Sequence, residues 1–169
     1  MKTNNLRKMI LTAIFAAIAV VGSTFSFPVM GSKCAPIQHL VNVLSAVLLG
    51  PGWALAQAFI ASLLRNFLSL GTLLAFPGSL FGALLAGLLY KSSEKLGLAY
   101  FGEVFGTGII GGLVAYPIAA FIMGNKAAAL TTFVVPFLIS TVAGTIIAFI
   151  VLTYMDKSGL LKRYKKMME

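Results

Sequence analysis

Long runs of apolar residues, separated by short polar segments, dominate the chain. The runs lack the apolar–polar alternation of a barrel strand, and only helices and closed barrels satisfy their backbone hydrogen bonds in a bilayer. The pattern predicts an all-α integral membrane protein with six transmembrane helices, at about 9–27, 36–50, 53–70, 77–90, 101–123 and 130–154. The second and fourth are shorter than the ~20 residues of a typical span, so five spans or a re-entrant segment remain alternatives.

Composition supports this interpretation. Apolar residues make up 59% of the chain, charged residues 10%, and the mean hydropathy is +0.98, whereas a soluble domain is about 25% charged. A soluble fold of this size could not hide so much apolar surface. The first apolar run is long for the core of a signal peptide, so we interpret it as a span. We expect residues 1–169 to form a single membrane-embedded domain.

The distribution of basic residues predicts the orientation. With the N-terminus inside, ten lysines and arginines lie on the inner side, and only Lys33 and Lys126 lie outside, with Arg65 near the outer end of the third span. Cytoplasmic segments carry such an excess, so both termini are predicted to be cytoplasmic. Because the net charge of +9 is concentrated in these flanks, it indicates contact with the lipid bilayer rather than with nucleic acid.

Small residues at helical spacing mark sites of close helix packing. Ala13 and Ala17 are four residues apart in the first span, beside a second stripe of Thr12, Ala16, Ala19 and Ser23. The glycine pairs are Gly78 with Gly82 and Gly108 with Gly112. Such spacing lets backbones approach closely, either within this bundle or against a partner protein.

Polar residues at membrane depth are costly, and they usually face a cavity or a partner. A predicted outer cluster forms the candidate substrate-binding set, which consists of Gln38, His39, Asn42, Arg65, Asn66, Ser79 and Tyr116. The four acidic residues are all expected at or near the inner side. Arg65 would then snorkel, bond carbonyl groups and Asn66, or face a ligand. An outer pocket without a carboxylate suits a neutral or anionic molecule better than a cation.

Motifs for other functions are absent or misplaced. Gly106–Gly111 matches G-x-G-x-x-G by letter, but it lies inside a predicted span rather than after a strand. No G-x-x-x-x-G-K-[ST] loop occurs, so we expect no ATP site in this chain. One cysteine, Cys34, and one histidine do not make a structural zinc site. An intramembrane hydrolase pairing Ser79 with His39 is a minor alternative, and we expect no catalytic residues.

Four segments, Pro36-Ile-Gln-His-Leu-Val-Asn42, Leu49-Gly-Pro51, Ser62-Leu-Leu-Arg-Asn66 and Ala75-Phe-Pro-Gly-Ser79, resemble the ThiW family. Members of that family are substrate-binding (S) components of energy-coupling factor (ECF) vitamin transporters. The resemblance implies a six-helix S-component bundle in a prokaryotic plasma membrane. It also implies a transporter subunit rather than an enzyme, with a transmembrane coupling protein and two partner ATPases that use ATP.

The resemblance further implies that Ala13 and Ala17 dock the coupling protein, and that residues 27–35 form a lid over an outward pocket. It implies hydroxyethylthiazole, the thiazole precursor of thiamin, as the substrate. The alternatives are an S component for another small vitamin or precursor, a self-sufficient transporter, and an intramembrane enzyme.

Overall fold

The computed structural model describes residues 2–30 and 32–168, which form a helical bundle with one short hairpin. The α-helices are α1 Lys2–Gly22, α2 Pro36–Leu49, α3 Pro51–Phe67, α4 Pro77–Ser93, α5 Leu96–Phe105, α6 Gly112–Pro117, α7 Val134–Lys157 and α8 Leu160–Met168. The hairpin between α1 and α2 pairs β1, Phe27–Val29, antiparallel with β2, Ser32–Cys34. The hairpin lies within residues 27–35, the expected lid, where no strand was predicted.

A helix occupies most of each of the six predicted spans, although the third ends at Phe67 rather than at residue 70 and the sixth begins at Val134 rather than at residue 130. Within the described residues, four segments are long and apolar enough to cross a membrane: Asn4–Phe25, Leu73–Ser93, Leu96–Ile122 and Val134–Lys157. The protein is therefore a multi-pass membrane protein. Helices α2 and α3 have only 14 and 17 residues, so their crossing of the bilayer stays a prediction.

Proline and glycine set several helix boundaries. Pro36, Pro51 and Pro77 begin α2, α3 and α4, where proline's missing N–H costs nothing and its fixed φ suits the first turn. Gly50 joins α2 to α3 with φ of 94°, a conformation that side chains rarely adopt. This corner turns the chain directly from one helix into the next.

The fifth span begins earlier than the sequence predicted. A turn at Glu94 ends α4, and α5 begins at Leu96 rather than at residue 101. The helix then continues through two π-helical stretches, Gly106–Gly111 and Ile118–Ile122, which flank α6. The earlier start places Glu103 two turns inside the helix, since each residue adds about 1.5 Å.

Large apolar side chains face outward, and small or polar ones face inward. Phe121 and Ile146 are exposed, whereas Ala54, Ala83 and many serines and threonines are buried. This distribution is expected in lipid, where small residues bring helices together and apolar side chains contact acyl chains.

The two ends of the described chain meet on one side of the bundle. Arg7 donates to the carbonyl of Met167 at 3.0 Å, and Lys165 in α8 lies 3.9 Å from Glu94 in the turn before α5. The ammonium of Lys165 also lies 5.0 Å from the centre of the Tyr90 ring. The two ends therefore share a side with the basic turn at residues 91–95, as the charge count predicts.

The predicted small-residue stripes pack within the bundle. An added Cβ at Gly78 would contact Phe137, and one at Gly112 would meet Val134. Thr12, Ala16, Ala19 and Ser23 are all buried. In contrast, Ala13 and Ala17 are exposed on the other face of α1, where another protein could reach them.

Candidate functional site

A cavity of about 260 Å³ lies at the end of the bundle opposite the termini. Its walls come from β2, the first turn of α2, the end of α3 with its following loop, and the region from Ala119 to Ser140. The lining residues are Ser32, Lys33, Ala35, Gln38, His39, Arg65, Gly71, Thr72, Leu74, Ala75, Gly78, Ala119, Met123, Asn125, Phe133, Phe137 and Ser140. The volume is slightly below the ~300 Å³ at which pockets for drug-sized ligands begin, so it suits a molecule of about one ring.

Gln38 joins three helices beneath the cavity. Its Nε2 donates to Oγ of Ser79 in α4 at 2.6 Å and lies 3.5 Å from Oγ of Ser62 in α3. Ser62 in turn donates to the carbonyl of Ala75 at 3.0 Å. These bonds fix the position of the Gln38 side chain relative to the cavity.

His39 pairs with Glu103, which corrects the prediction that every acid lies at or near the inner side. The Nδ1 atom of His39 is 2.8 Å from Oε1 of Glu103, and both side chains are buried. Asn42 Nδ2 and Thr107 Oγ1 donate to the same oxygen, at 3.1 and 3.2 Å. The prediction was wrong because it began the fifth span near Glu103, which placed this acid at the membrane edge.

The pair fixes the hydrogen-bonding role of the imidazole ring. With Oε1 accepting from Asn42 and Thr107, Nδ1 of His39 is the third donor to that oxygen. The remaining nitrogen, Nε2, makes no hydrogen bond within the described residues, and His39 lines the cavity. A neutral ring protonated on Nδ1 presents Nε2 as an acceptor, so His39 can receive a hydrogen bond from a ligand hydroxyl.

Arg65 is 4% exposed and lines the cavity from the end of α3. Its Nε is sealed from solvent without a hydrogen-bond partner, and the ion pairs of the described residues do not include it. The backbone carbonyl of Arg65 accepts from Leu70 and Gly71, so the following loop folds back over the side chain. The structure thus holds a buried positive charge at the cavity wall.

Two aromatic rings line the cavity. Phe133 and Phe137 are both buried, and their ring centres lie 6.2 Å apart at a tilt of 45°. Gly78 accommodates Phe137, since a Cβ there would lie 3.0 Å from the ring. This wall offers a surface on which a flat heterocycle can pack.

The hairpin that closes the cavity is attached to α7. Ala35 N donates to Oγ of Ser140 at 2.9 Å, and Sγ of Cys34 lies 3.2 Å from the carbonyl oxygen of Pro136. Burial raises the pKa of the Cys34 thiol. Ser32 and Lys33 contribute to the cavity wall, and the lid role of residues 27–35 stays a prediction.

The structure separates the predicted site residues into groups. Gln38, His39 and Arg65 line the cavity, whereas Asn42 and Ser79 lie behind it and support them through hydrogen bonds.

Two other predicted site residues lie outside the lining. Asn66 donates to the carbonyls of Ser62 and Thr72 at 2.8 and 3.0 Å, and so it shapes the loop beside Arg65. Tyr116 instead meets the edge of Phe121, with ring centres 6.3 Å apart.

Several lining residues were not predicted, namely Phe133, Phe137, Ser140, Met123 and Asn125. Their helix and loop carry no distinctive polar pattern. Pro136, one turn away from Phe133, was the only signal in the region. A kink there can open a cavity, but it does not indicate which neighbouring side chains face inward.

The cavity lining offers side chains that can bind a small molecule. Among the described residues, no group of three or more histidines, cysteines or acids could hold a metal ion. The lining combines hydrogen-bonding side chains, two cations and an aromatic wall, and it includes no carboxylate.

Comparison with known proteins identifies the family. The model of ThiW, described as a thiamine-precursor transporter protein, matches residues 9–158. The chain belongs to the ThiW family. No curated protein and no solved structure matches it. The family is one of transporters, and the match includes every residue that lines the cavity.

Proposed function

We propose that this protein is the substrate-capturing S component of an ECF transporter, and that it captures hydroxyethylthiazole from outside the cell. The main support is the 260 Å³ cavity, which combines an aromatic wall with hydrogen-bonding side chains and has no carboxylate in its lining. Hydroxyethylthiazole has one ring and a terminal hydroxyl. The ring would pack on Phe137, and the hydroxyl would reach Gln38, His39 or Arg65.

The absence of a carboxylate from the cavity lining also bears on whether the protein binds thiamin itself. Thiamin carries a permanent positive charge, which would meet Lys33 and Arg65 at the cavity. Glu103 is not part of the cavity lining, and its Oε1 accepts hydrogen bonds from His39, Asn42 and Thr107 rather than facing a ligand. A precursor without positive charge fits these surroundings better.

Uptake would depend on partners. The sequence contains no phosphate-binding loop of the Walker type, so ATP would be used by two partner ATPases through a transmembrane coupling protein. Ala13 and Ala17 are exposed on α1, and small side chains allow another helix to approach closely. We assign them the docking role.

A binding assay tests the substrate. Labelled hydroxyethylthiazole should bind the purified protein saturably, and His39→Ala and Gln38→Ala should weaken binding by about tenfold or more, as expected when a polar ligand group loses its partner. Tyr116→Phe serves as the control because Tyr116 lies outside the cavity lining. Tight thiamin binding without thiazole binding would refute the substrate assignment.

One observation favours a second candidate, a transporter that works alone. Ionisable pairs at membrane depth, such as His39 with Glu103, occur in proton relays. Uptake by this chain alone in liposomes, driven by a pH gradient and lost in Glu103→Gln, would support that candidate. Uptake only when the coupling protein and ATPases are added would support the S component.

A further inference from the structure

Arg65 carries a positive charge at the cavity wall that has no partner among the described residues. Arg65 is only 4% exposed. Its side chain nevertheless has no ion pair or hydrogen bond within the part of the chain that the structure describes. Burying an uncompensated charge is strongly unfavourable. Such a group persists where a bound partner neutralises it.

The surroundings provide no such partner from the protein. The lining of the cavity includes Lys33 as a second cation at the hairpin, and it includes no aspartate or glutamate. Glu103 does not line the cavity, and it makes no ion pair with Arg65 among the described residues. The positive charges of Arg65 and Lys33 therefore face a shared space that lacks a negative charge.

Hydroxyethylthiazole alone would leave this charge uncompensated. Its hydroxyl can accept a hydrogen bond from the guanidinium, but it carries no negative charge. A carboxylate or a phosphate accepts two parallel hydrogen bonds from a guanidinium, and such charge-assisted bonds are stronger than neutral ones. Arg65 should therefore bind an anionic form of the precursor, a carboxylate or a phosphate, more strongly than the neutral alcohol.

We infer that the cavity preferentially binds a small heteroaromatic molecule that bears one anionic group, with Arg65 binding the anion and Lys33, the second cation of the lining, attracting it. The inference rests on the proposed function for the thiazole ring, and it adds the charge of the side arm. Phe133 and Phe137, which also line the cavity, pack against the ring.

Four probes of similar size test the inference. They are hydroxyethylthiazole, its phosphate monoester, the matching thiazole carboxylate in which a carboxylate replaces the CH₂OH group, and phenyl phosphate. Affinities for purified protein are measured by calorimetry at pH 7.5 and two salt concentrations. We expect the phosphate ester or the carboxylate to bind about tenfold or more tightly than the alcohol, a difference of about 1.4 kcal/mol. Comparison of these two shows which anion the cavity prefers.

Substitutions of Arg65 and Lys33 separate the contributions of the two cations to ligand binding. Arg65→Gln should remove the preference for the anion, so that the anions bind no more tightly than the alcohol to this variant, and Arg65→Lys should retain part of the preference, because lysine keeps the charge but loses the planar fork. Lys33→Gln should reduce the salt dependence of binding. Lys126→Gln is the matched control, since Lys126 is an exposed lysine on the same side and does not line the cavity.

Stability of the ligand-free protein gives an independent readout. If Arg65 is an uncompensated charge retained for a ligand, Arg65→Met should keep or raise the Tm. A fall of more than about 4 °C, a substantial loss of stability for a chain of this length, would assign Arg65 a structural role and overturn the inference.

The outcomes distinguish this inference from the proposed function. Equal affinity for the alcohol and both anions would overturn the anion preference and leave thiazole capture intact. Binding of phenyl phosphate with no binding of any thiazole would overturn the proposed function, and with it the heteroaromatic ligand. Failure of all four probes to bind would overturn both.

Discussion

The imidazole Nδ1 of His39 lies 2.8 Å from Oε1 of Glu103, and this contact joins α2 to α5 directly beneath the cavity. Two further donors, from Asn42 and Thr107, meet the same oxygen. Glu103 is completely buried, and its second oxygen, Oε2, has no hydrogen-bond partner. Three hydrogen bonds of the network therefore share one acceptor oxygen, and a displacement of the Glu103 carboxylate would weaken all three.

Removing both members of this pair should destabilise the protein by less than the sum of the two single removals. Glu103→Gln or His39→Gln alone leaves a buried polar group without its partner, which costs about 1–3 kcal/mol. In the double variant no charged group is left unpaired, so the loss should be smaller than the sum of the single losses. Thermal unfolding in detergent measures all three.

Glu94→Gln is the control for these variants, since Glu94 is 81% exposed in its side chain. It should change the free energy of unfolding by less than about 0.5 kcal/mol. Strict additivity of the two buried substitutions would contradict a coupled pair.

The same contact shows how far the sequence alone could lead. Proline positions and apolar runs predicted α2 to within one residue, because proline and glycine act locally on the backbone. The polar spacing also brought Gln38, His39 and Arg65 to one site, since helical periodicity and depth in the membrane are properties of each segment.

The partners of those residues depend on contacts between distant segments. Glu103 reaches His39 only because α5 begins at Leu96 and packs against α2 and α4. Phe133 and Phe137 lie in a part of the chain whose pattern is uniformly apolar. Which side of such a helix faces the cavity is decided by tertiary packing, and that information is absent from a single sequence.

Gly82 leaves room for the Glu103 side chain. A Cβ at Gly82 would lie 2.7 Å from Oε2 of Glu103, and it would also overlap Oγ1 of Thr107. Gly82→Ala should therefore displace the carboxylate and cost about 1–3 kcal/mol, as overpacking in a tight interior does. The Tm of the purified protein checks this expectation.

Gly97→Ala provides the matched comparison, because Gly97 lies in α5 with no atom within 4 Å of an added Cβ. This change should be neutral, or stabilising by about 0.4–1 kcal/mol through the loss of chain entropy in the unfolded state. If both glycine variants had the same Tm, the close approach at Gly82 would be refuted.

Cys34 can report on opening of the hairpin. Its side chain is buried, and that burial raises the pKa of the thiol. A raised pKa reduces the thiolate fraction near pH 7.5, and the thiolate is the reactive form. Labelling by N-ethylmaleimide should therefore be slow, become faster as the pH rises toward the thiol pKa, and slow further when a ligand holds the hairpin closed.

The Cys34→Ser, Thr24→Cys variant supplies an exposed thiol between α1 and the hairpin. Its labelling should be fast and insensitive to the ligand. Labelling of Cys34 at the same rate as this variant would show that the hairpin does not protect the thiol.

Docking of a coupling protein should depend on the exposed small residues of α1. Ala13 and Ala17 are exposed, while Ala16 and Ala19 face the interior of the bundle. Replacing Ala13 and Ala17 with tryptophan adds bulk on the outer face alone. We expect loss of co-purification with the coupling protein, with unchanged ligand affinity and Tm.

Ile146→Trp tests whether bulk alone is responsible, because Ile146 is 56% exposed on α7, away from α1. This variant should still co-purify with the coupling protein. A second pair, Ala16→Trp and Ala19→Trp, should lower the Tm, since these side chains are buried and the interior cannot accept the added volume. Retained co-purification with tryptophan at both Ala13 and Ala17 would exclude this face of α1 as the docking surface, because close helix approach requires small side chains.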